Sequence, residues 1–141
     1  MNILVLHGPN LNLLGEREPD IYGTLTLPRL DARLRGQARK QGAALRIFQS
    51  NCEGRLMDIM HRNRRWAQGM ILNPGAYTHY SYALRDAVAA IGIPTIEVHL
   101  SDIKKREPFR RRSVIAPVCT AQICGGGQRA YLRALDRLIG S

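Results

Sequence analysis

The chain has no apolar run near the roughly 20 residues that a membrane-spanning helix needs. Its first apolar stretch stops at His7 and has no basic flank before it, which argues against a signal peptide. Cysteine is scarce: Cys52, Cys119 and Cys124 form no CxxC pair and leave one thiol unmatched. That usage fits reduced thiols and a cytoplasmic location. Lysine occurs only at Lys40, Lys104 and Lys105, all in charged surroundings, so no buried Schiff-base lysine stands out. His7, His61, His79 and His99 have no metal-ligand spacing such as HExxH. There is no Walker A motif, and no GxGxxG follows the first apolar run. The segment from His7 to Asn12 lacks the Ser and Thr of a flavin-phosphate loop. Acidic residues are also few, 11 against 21 basic ones, giving a net charge of +10. Such a chain attracts anions. The cations are dispersed, in Arg62-Arg64-Arg65, Lys104-Lys105-Arg106 and Arg110-Arg111-Arg112, without interleaved aromatics or a zinc-finger or RNP-like motif. A solvated basic surface fits better than a nucleic-acid interface, which stays open as an alternative.

What is present is an alternation of strand and helix. At 141 residues and 45% apolar content the chain suits one domain, 1–141, with a real core and no linker or repeat. Asn2–Leu6 reads as strand one. Leu27 to Gln41 reads as a helix with Pro28 in its first turn, Leu30, Leu34 and Ala38 on one face, and Gly42 as the stop. Ala44–Gln49 is strand two. Arg55 to Trp66 is helical, with Leu56, Ile59, Met60 and Trp66 inward. Met70–Leu72 is strand three, Ser81 to Ile91 a helix closed by Gly92, and Thr95–Leu100 strand four. Val114–Val118 is expected as strand five, with a bend before Ile123. Gln128 to Ile139 closes the chain, with Tyr131, Leu132, Leu135 and Leu138 inward. This pattern predicts an α/β fold: a doubly wound, five-stranded parallel sheet of flavodoxin-like order 2-1-3-4-5.

That fold would place a ligand beyond the carboxyl ends of the strands, where strands one and three part company. The connection from His7 to Gly23 is far longer than the usual two to six residues, as binding loops and lids are. It carries Asn10, Arg17 and Tyr22. After strand three come Asn73, Pro74 and His79, and after strand four His99 and Ser101. Gly125-Gly126-Gly127 reads as a strand-to-helix turn, with an anion nest as the alternative.

Imidazoles, amides and a tyrosine near an arginine suit acid–base chemistry without a cofactor. A tyrosine has an ordinary pKa of about 10, and a nearby guanidinium favours the phenolate. Tyr22 with Arg17 would then serve as a base for a proton alpha to a carbonyl. A histidine would protonate a leaving hydroxyl, and Asn10 or Asn73 would hold an enolate oxygen directly or through water. The set fits β-elimination of water from a β-hydroxy ketone. A flavin- or nucleotide-binding module remains the second alternative.

At these same positions the chain resembles type II 3-dehydroquinate dehydratase. The resemblance rests on His7-Gly8-Pro9-Asn10-Leu11-Asn12-Leu13-Leu14-Gly15, Arg17-Glu18-Pro19, Tyr22-Gly23, Phe48-Gln49-Ser50-Asn51, Glu53-Gly54 and Asn73 to His79. Asp86-Ala87, Pro94, Glu97 to Ser101 and Arg106 to Arg110 complete it, spanning nearly the whole chain in order. The resemblance implies dehydration of 3-dehydroquinate to 3-dehydroshikimate by anti elimination through an enolate, in the shikimate route or quinate catabolism, with no cofactor and no metal. It implies Tyr22 as base tuned by Arg17, His99 as acid oriented by Glu97, and Asn10 as holder of the water on the enolate. Asn73, His79 and Arg110 would bind ring hydroxyls, and the backbone N–H groups of Leu100 and Ser101 the carboxylate. Asp86 would reach a neighbouring subunit's site, because the family forms trimers packed into dodecamers. The implied partner is a small anionic substrate, with neither nucleic acid nor membrane.

Overall fold

The computed structural model describes residues 1–16 and 18–140, with the backbone alone at Tyr22. Five strands, β1 (Asn2–His7), β2 (Ala44–Gln49), β3 (Gly69–Asn73), β4 (Thr95–His99) and β5 (Ala121–Cys124), form one sheet. All pairs are parallel and the order is β2-β1-β3-β4-β5, as the pattern predicts. The helices are a single turn α1 (Pro19–Tyr22), then α2 (Leu27–Lys40), α3 (Glu53–Asn63), α4 (Tyr82–Ile91) and α5 (Arg129–Gly140).

The period of two along each strand assigns the layers. Ile3 and Val5 of β1, Ile71 of β3 and Ile96 and Val98 of β4 pack with Leu30 and Leu34 of α2 and Leu135 and Leu138 of α5. Leu4, Leu6, Met70 and Leu72 face the other way, against Leu56 and Met60 of α3 and Leu84 and Val88 of α4. β1, β3 and β4 are therefore buried on both faces, and their sequences are near-continuous apolar runs. β2 alternates exposed and half-buried residues, as an edge strand does. Local signals set the helix starts. The Thr26 hydroxyl accepts the Arg29 N–H at the head of α2, and the Ser81 hydroxyl accepts the Leu84 N–H at the head of α4.

Most predicted boundaries hold to within a few residues, and the fifth strand does not. Residues Ala116–Val118 form a 3-10 turn, and β5 begins only at Ala121. The Ser113 hydroxyl accepts the N–H groups of Ile115 (3.1 Å) and Ala116 (2.9 Å), which curls the chain. Pro117 then has no N–H to give to a ladder. Val114 and Ile115 are apolar because they are buried in the α3–α4 layer, not because they are a strand. Trp66 lies past the end of α3 and is half-buried, with the Arg46 guanidinium 4.1 Å over its ring.

The glycine triplet is the turn from β5 into α5. All three residues have positive φ (83°, 80° and 61°). Gly125 donates to the His99 carbonyl (3.1 Å) and Gly127 to the Leu100 carbonyl (3.0 Å), so two of the three N–H groups tie α5 to the end of β4 rather than forming an anion nest.

Where β1 ends, Gly8 donates to the Asn73 carbonyl at 2.7 Å. A Cβ on Gly8 would stand 2.6 Å from that oxygen and 2.9 Å from the Pro74 carbonyl carbon. Gly8→Ala is therefore expected to push the ends of β1 and β3 apart and to cost about 1–3 kcal/mol in urea unfolding. An unchanged midpoint would show that the close approach is not required.

Candidate active site

β1, β3 and β4 end in His7, Asn73 and His99, three polar residues after apolar runs. Beyond these ends lies a cavity of about 150 Å³. Asn10, Asn73, His79, His99, Leu100, Ser101 and Arg110 all line it, so seven of the sequence-derived residues converge, with Arg106 beside them. Glu97 stands one layer back, behind His99. Asp86 is exposed on α4 and does not line the cavity. Arg17 and the Tyr22 side chain lie outside the described residues. A larger groove of about 840 Å³ lies between α2 and α5, bordered by Arg29, Arg33 and Lys40. It has no imidazole or carboxylate, so the smaller cavity is where the chemistry gathers.

Each lining group is held by local structure. The Asn73 side-chain oxygen accepts the Gly75 N–H at 3.1 Å, which turns the chain sharply out of β3. Asn10 sits in the left-handed region (φ 69°), and its N–H donates to the Asn51 side-chain oxygen at 2.9 Å. Gln49, at the end of β2, donates to the Gly8 carbonyl at 3.1 Å and to the same Asn51 oxygen at 3.1 Å. The end of β2 thus clamps the start of the long loop. His79 donates from Nδ1 to the Arg112 carbonyl (2.7 Å), leaving Nε2 as its second nitrogen. Arg110 is tied to Glu107 and lies 4.7 Å over the Phe109 ring.

His99 and Glu97 form a hydrogen-bonded imidazole–carboxylate pair at the cavity. They are two apart on β4 and so share a face. His99 Nε2 donates to Glu97 Oε2 at 2.5 Å. Glu97 is fully buried. It also accepts from the Thr78 hydroxyl (2.7 Å), the Ser113 hydroxyl (2.7 Å) and the Gln122 amide (2.9 Å). Burial is the largest single influence and pushes this carboxyl up. The hydrogen bond and charge of His99, with the Gln122 and Ser113 hydrogen bonds, together outweigh it and hold Glu97 below its ordinary value. The same negative charge, after burial itself, pushes the nearby thiols up, Cys119 to about 12 and Cys124 to about 11, so neither is a ready nucleophile. With Nε2 committed to Glu97, the ring's other nitrogen, Nδ1, is left to serve the cavity.

Sequence reasoning did not single out Thr78, Ser113 or Gln122. Gln122 had a signal, since it is the register partner of Glu97 across β4 and β5, but only once β5 is placed correctly. Among the described residues no group of three or more His, Cys, Asp or Glu side chains is placed to hold a metal ion, and no helix is long and apolar enough to cross a membrane.

The fold and this cavity define an α/β protein that holds a carboxylate-paired imidazole, amides and cations where the strand order reverses. The family model for Dehydroquinase class II matches residues 1–139. The chain is 58% identical over 135 residues to the 3-dehydroquinate dehydratase of Pelotomaculum thermopropionicum, across 96% of this chain and 94% of that protein. It is 54% identical over 141 residues to that of Roseiflexus castenholzii, across 100% of this chain and 90% of that one. The crystal structure of the type II dehydroquinase from Butyrivibrio crossotus superposes with a TM-score of 0.96 at 44% identity, covering 98% of this chain and 97% of that one. The chain belongs to the class II dehydroquinase family.

Because the folded carboxyl of Glu97 lies below its ordinary value of 4.5, its ionised form stabilises the fold above that value. This contribution is lost as pH falls through the lowered pKa. The stability difference between the wild type and Glu97→Gln should therefore shrink from neutral pH to about pH 3 in urea unfolding. A difference that stayed constant over that range would contradict the assignment.

Proposed function

We propose that this protein dehydrates 3-dehydroquinate to 3-dehydroshikimate by anti elimination of water through an enolate. The observation that carries the reading is the His99–Glu97 pair at a cavity lined by amides and arginines, in a chain of the class II dehydroquinase family. Tyr22, as the phenolate favoured by Arg17, takes the proton alpha to the ketone, and the electron pair of that C–H bond becomes the enolate. Asn10 holds the water that hydrogen-bonds the enolate oxygen. The enolate collapses, the carbon–oxygen bond to the β-hydroxyl breaks, and His99 gives that hydroxyl a proton, so one water leaves. Glu97 receives the Nε2–H and stabilises the doubly protonated ring, which makes Nδ1–H the proton delivered. Tyr22 returns its proton to solvent and His99 regains one. Asn73, His79 and Arg110 bind the ring hydroxyls, and the N–H groups of Leu100 and Ser101 hold the carboxylate. The chemistry needs neither cofactor nor metal.

The reading extends to assembly and place. Residues 1–141 act as one catalytic domain in the cytoplasm, on the shikimate route or in quinate catabolism. The protomers form trimers packed into a dodecamer, in which Asp86 completes a neighbour's site. Exposed aromatic surface at the head of α4 supports this, since Tyr80 and Tyr82 are 60% and 59% exposed.

The direct test is the rise in ultraviolet absorbance of the conjugated enone when the protein meets 3-dehydroquinate. Tyr22→Phe should lower kcat on the order of 10²–10⁴-fold while substrate still binds. His99→Ala should lose dehydration yet still exchange the alpha proton, seen as deuterium in recovered substrate. Near-normal turnover in either variant would remove that residue's role. Mixing Asp86→Ala with Tyr22→Phe protomers after dissociation should restore part of the activity. A fully active monomer in sedimentation would rule out the shared site.

A further inference from the structure

Asn10 lines the cavity with its backbone in the left-handed region, at φ 69° and ψ −2°. Few residues other than glycine rest there, and asparagine is among those that tolerate it best. The conformation is held from outside the loop. The loop leaves a fixed strand end, since the buried His7 ring has Nε2 2.7 Å from Asp31 Oδ1 and Nδ1 2.9 Å from the Tyr131 hydroxyl. Three residues on, the Asn10 N–H donates to Asn51 Oδ1 at 2.9 Å. Gln49 Nε2 donates to that same oxygen at 3.1 Å and to the Gly8 carbonyl at 3.1 Å. Asn51 is itself tied down. The Ser50 N–H before it donates to the His7 carbonyl (3.0 Å), and the Tyr77 hydroxyl donates to the Asn51 carbonyl (2.7 Å). Gln49, Ser50 and Asn51 thus grip the chain on both sides of Pro9, although none of the three lines the cavity.

The donors in this group have one consistent direction. A backbone carbonyl only accepts, so the end of the Gln49 amide at Gly8 is its NH2. The Asn51 atom that meets both this NH2 and the Asn10 N–H must then be oxygen, and the two donors fill its two lone pairs. The Asn51 nitrogen carries neither bond. Gln49 therefore acts here as a donor and Asn51 as an acceptor. Replacing either amide by a carboxylate adds the same charge at nearly the same place, with opposite consequences. At Asn51 the acceptor survives. At Gln49 both N–H groups are lost and an oxygen is set against the Gly8 carbonyl.

We propose that Asn51 and Gln49 are positioning residues for the elimination: they hold Asn10 in its left-handed conformation and so keep its side-chain amide where the enolate oxygen forms. The inference rests on the dehydration reading above, in which Asn10 holds the water on that oxygen. Charge on the oxygen develops in the transition state, so a group aimed at it acts on kcat. A group that only binds the substrate acts on KM instead.

The experiment uses the full chain with 3-dehydroquinate. Asn51→Leu removes the acceptor at similar volume. It and Gln49→Glu should each lower kcat about tenfold to a hundredfold, less than the loss of an oxyanion donor outright, with KM within about twofold. Asn51→Asp should keep kcat within about threefold of the wild type, since its carboxylate still accepts both bonds. A raised KM at constant kcat in Asn51→Leu would overturn the proposal. So would an unchanged kcat beside a lowered melting temperature, which would make the clamp structural only. Equal losses in Asn51→Asp and Gln49→Glu would trace the effect to added charge and overturn it as well. Should Asn51→Leu not fold, the two carboxylate variants decide alone. Wild-type protein without turnover would sink the dehydration reading itself, whereas an active wild type with indifferent variants sinks only this inference.

Discussion

A carboxylate with no solvent exposure, inside a parallel sheet, is the constraint around which the last third of the molecule is arranged. Removing an ion from water costs several kcal/mol even after relaxation, and only close donors offset it. Glu97 has four, and they come from four different places: Thr78 before α4, His99 on its own strand, Ser113 in the turn before β5, and Gln122 on β5. The irregular path from 100 to 120 is therefore not slack between regular elements. It brings one hydroxyl to Glu97 Oε1, and that hydroxyl also accepts the Ile115 and Ala116 N–H groups at the start of the turn that holds Pro117.

Two imidazole–carboxylate pairs of similar design lie on opposite faces of the sheet. On one face a buried carboxylate holds His99. On the other, Asp31 holds His7. The alternation of strand residues decides which system each strand feeds: Glu97 and His99 have the parity opposite to Ile96 and Val98, whereas His7 and Asn73 share that of Val5 and Ile71. In both, the acceptor-only carboxylate keeps a hydrogen on Nε2 of the ring.

Much of this was legible in the sequence, and the reasons differ by element. Continuous apolar runs at 3–6 and 70–72 can only be central strands of a doubly wound sheet, and that gives the order and the place where ligands bind. The polar residues at the strand ends then follow by counting. Strand five was misplaced because Val114 and Ile115 are as apolar as strand residues, and burial alone does not reveal a turn set by a serine and a proline. The Asp31–His7–Tyr131 chain could not be read, because its members lie 24 and 124 residues apart and meet only through the packing of two helices on one face. Asp86 was legible as an off-core position on α4, and it is exposed there.

The pairing of His7 with Tyr131 also bears on how the protein is made. β1 emerges first during synthesis, yet it belongs in the middle of the sheet, and both of its edges must wait for β2 and β3. A nascent chain thus carries an apolar strand with two unmatched edges, the kind of surface that chaperones cover. The imidazole at the end of β1 waits longer still, since its partner hydroxyl arrives 124 residues later. That hydrogen bond closes only when α5 docks, so it ties the first strand to the closing helix.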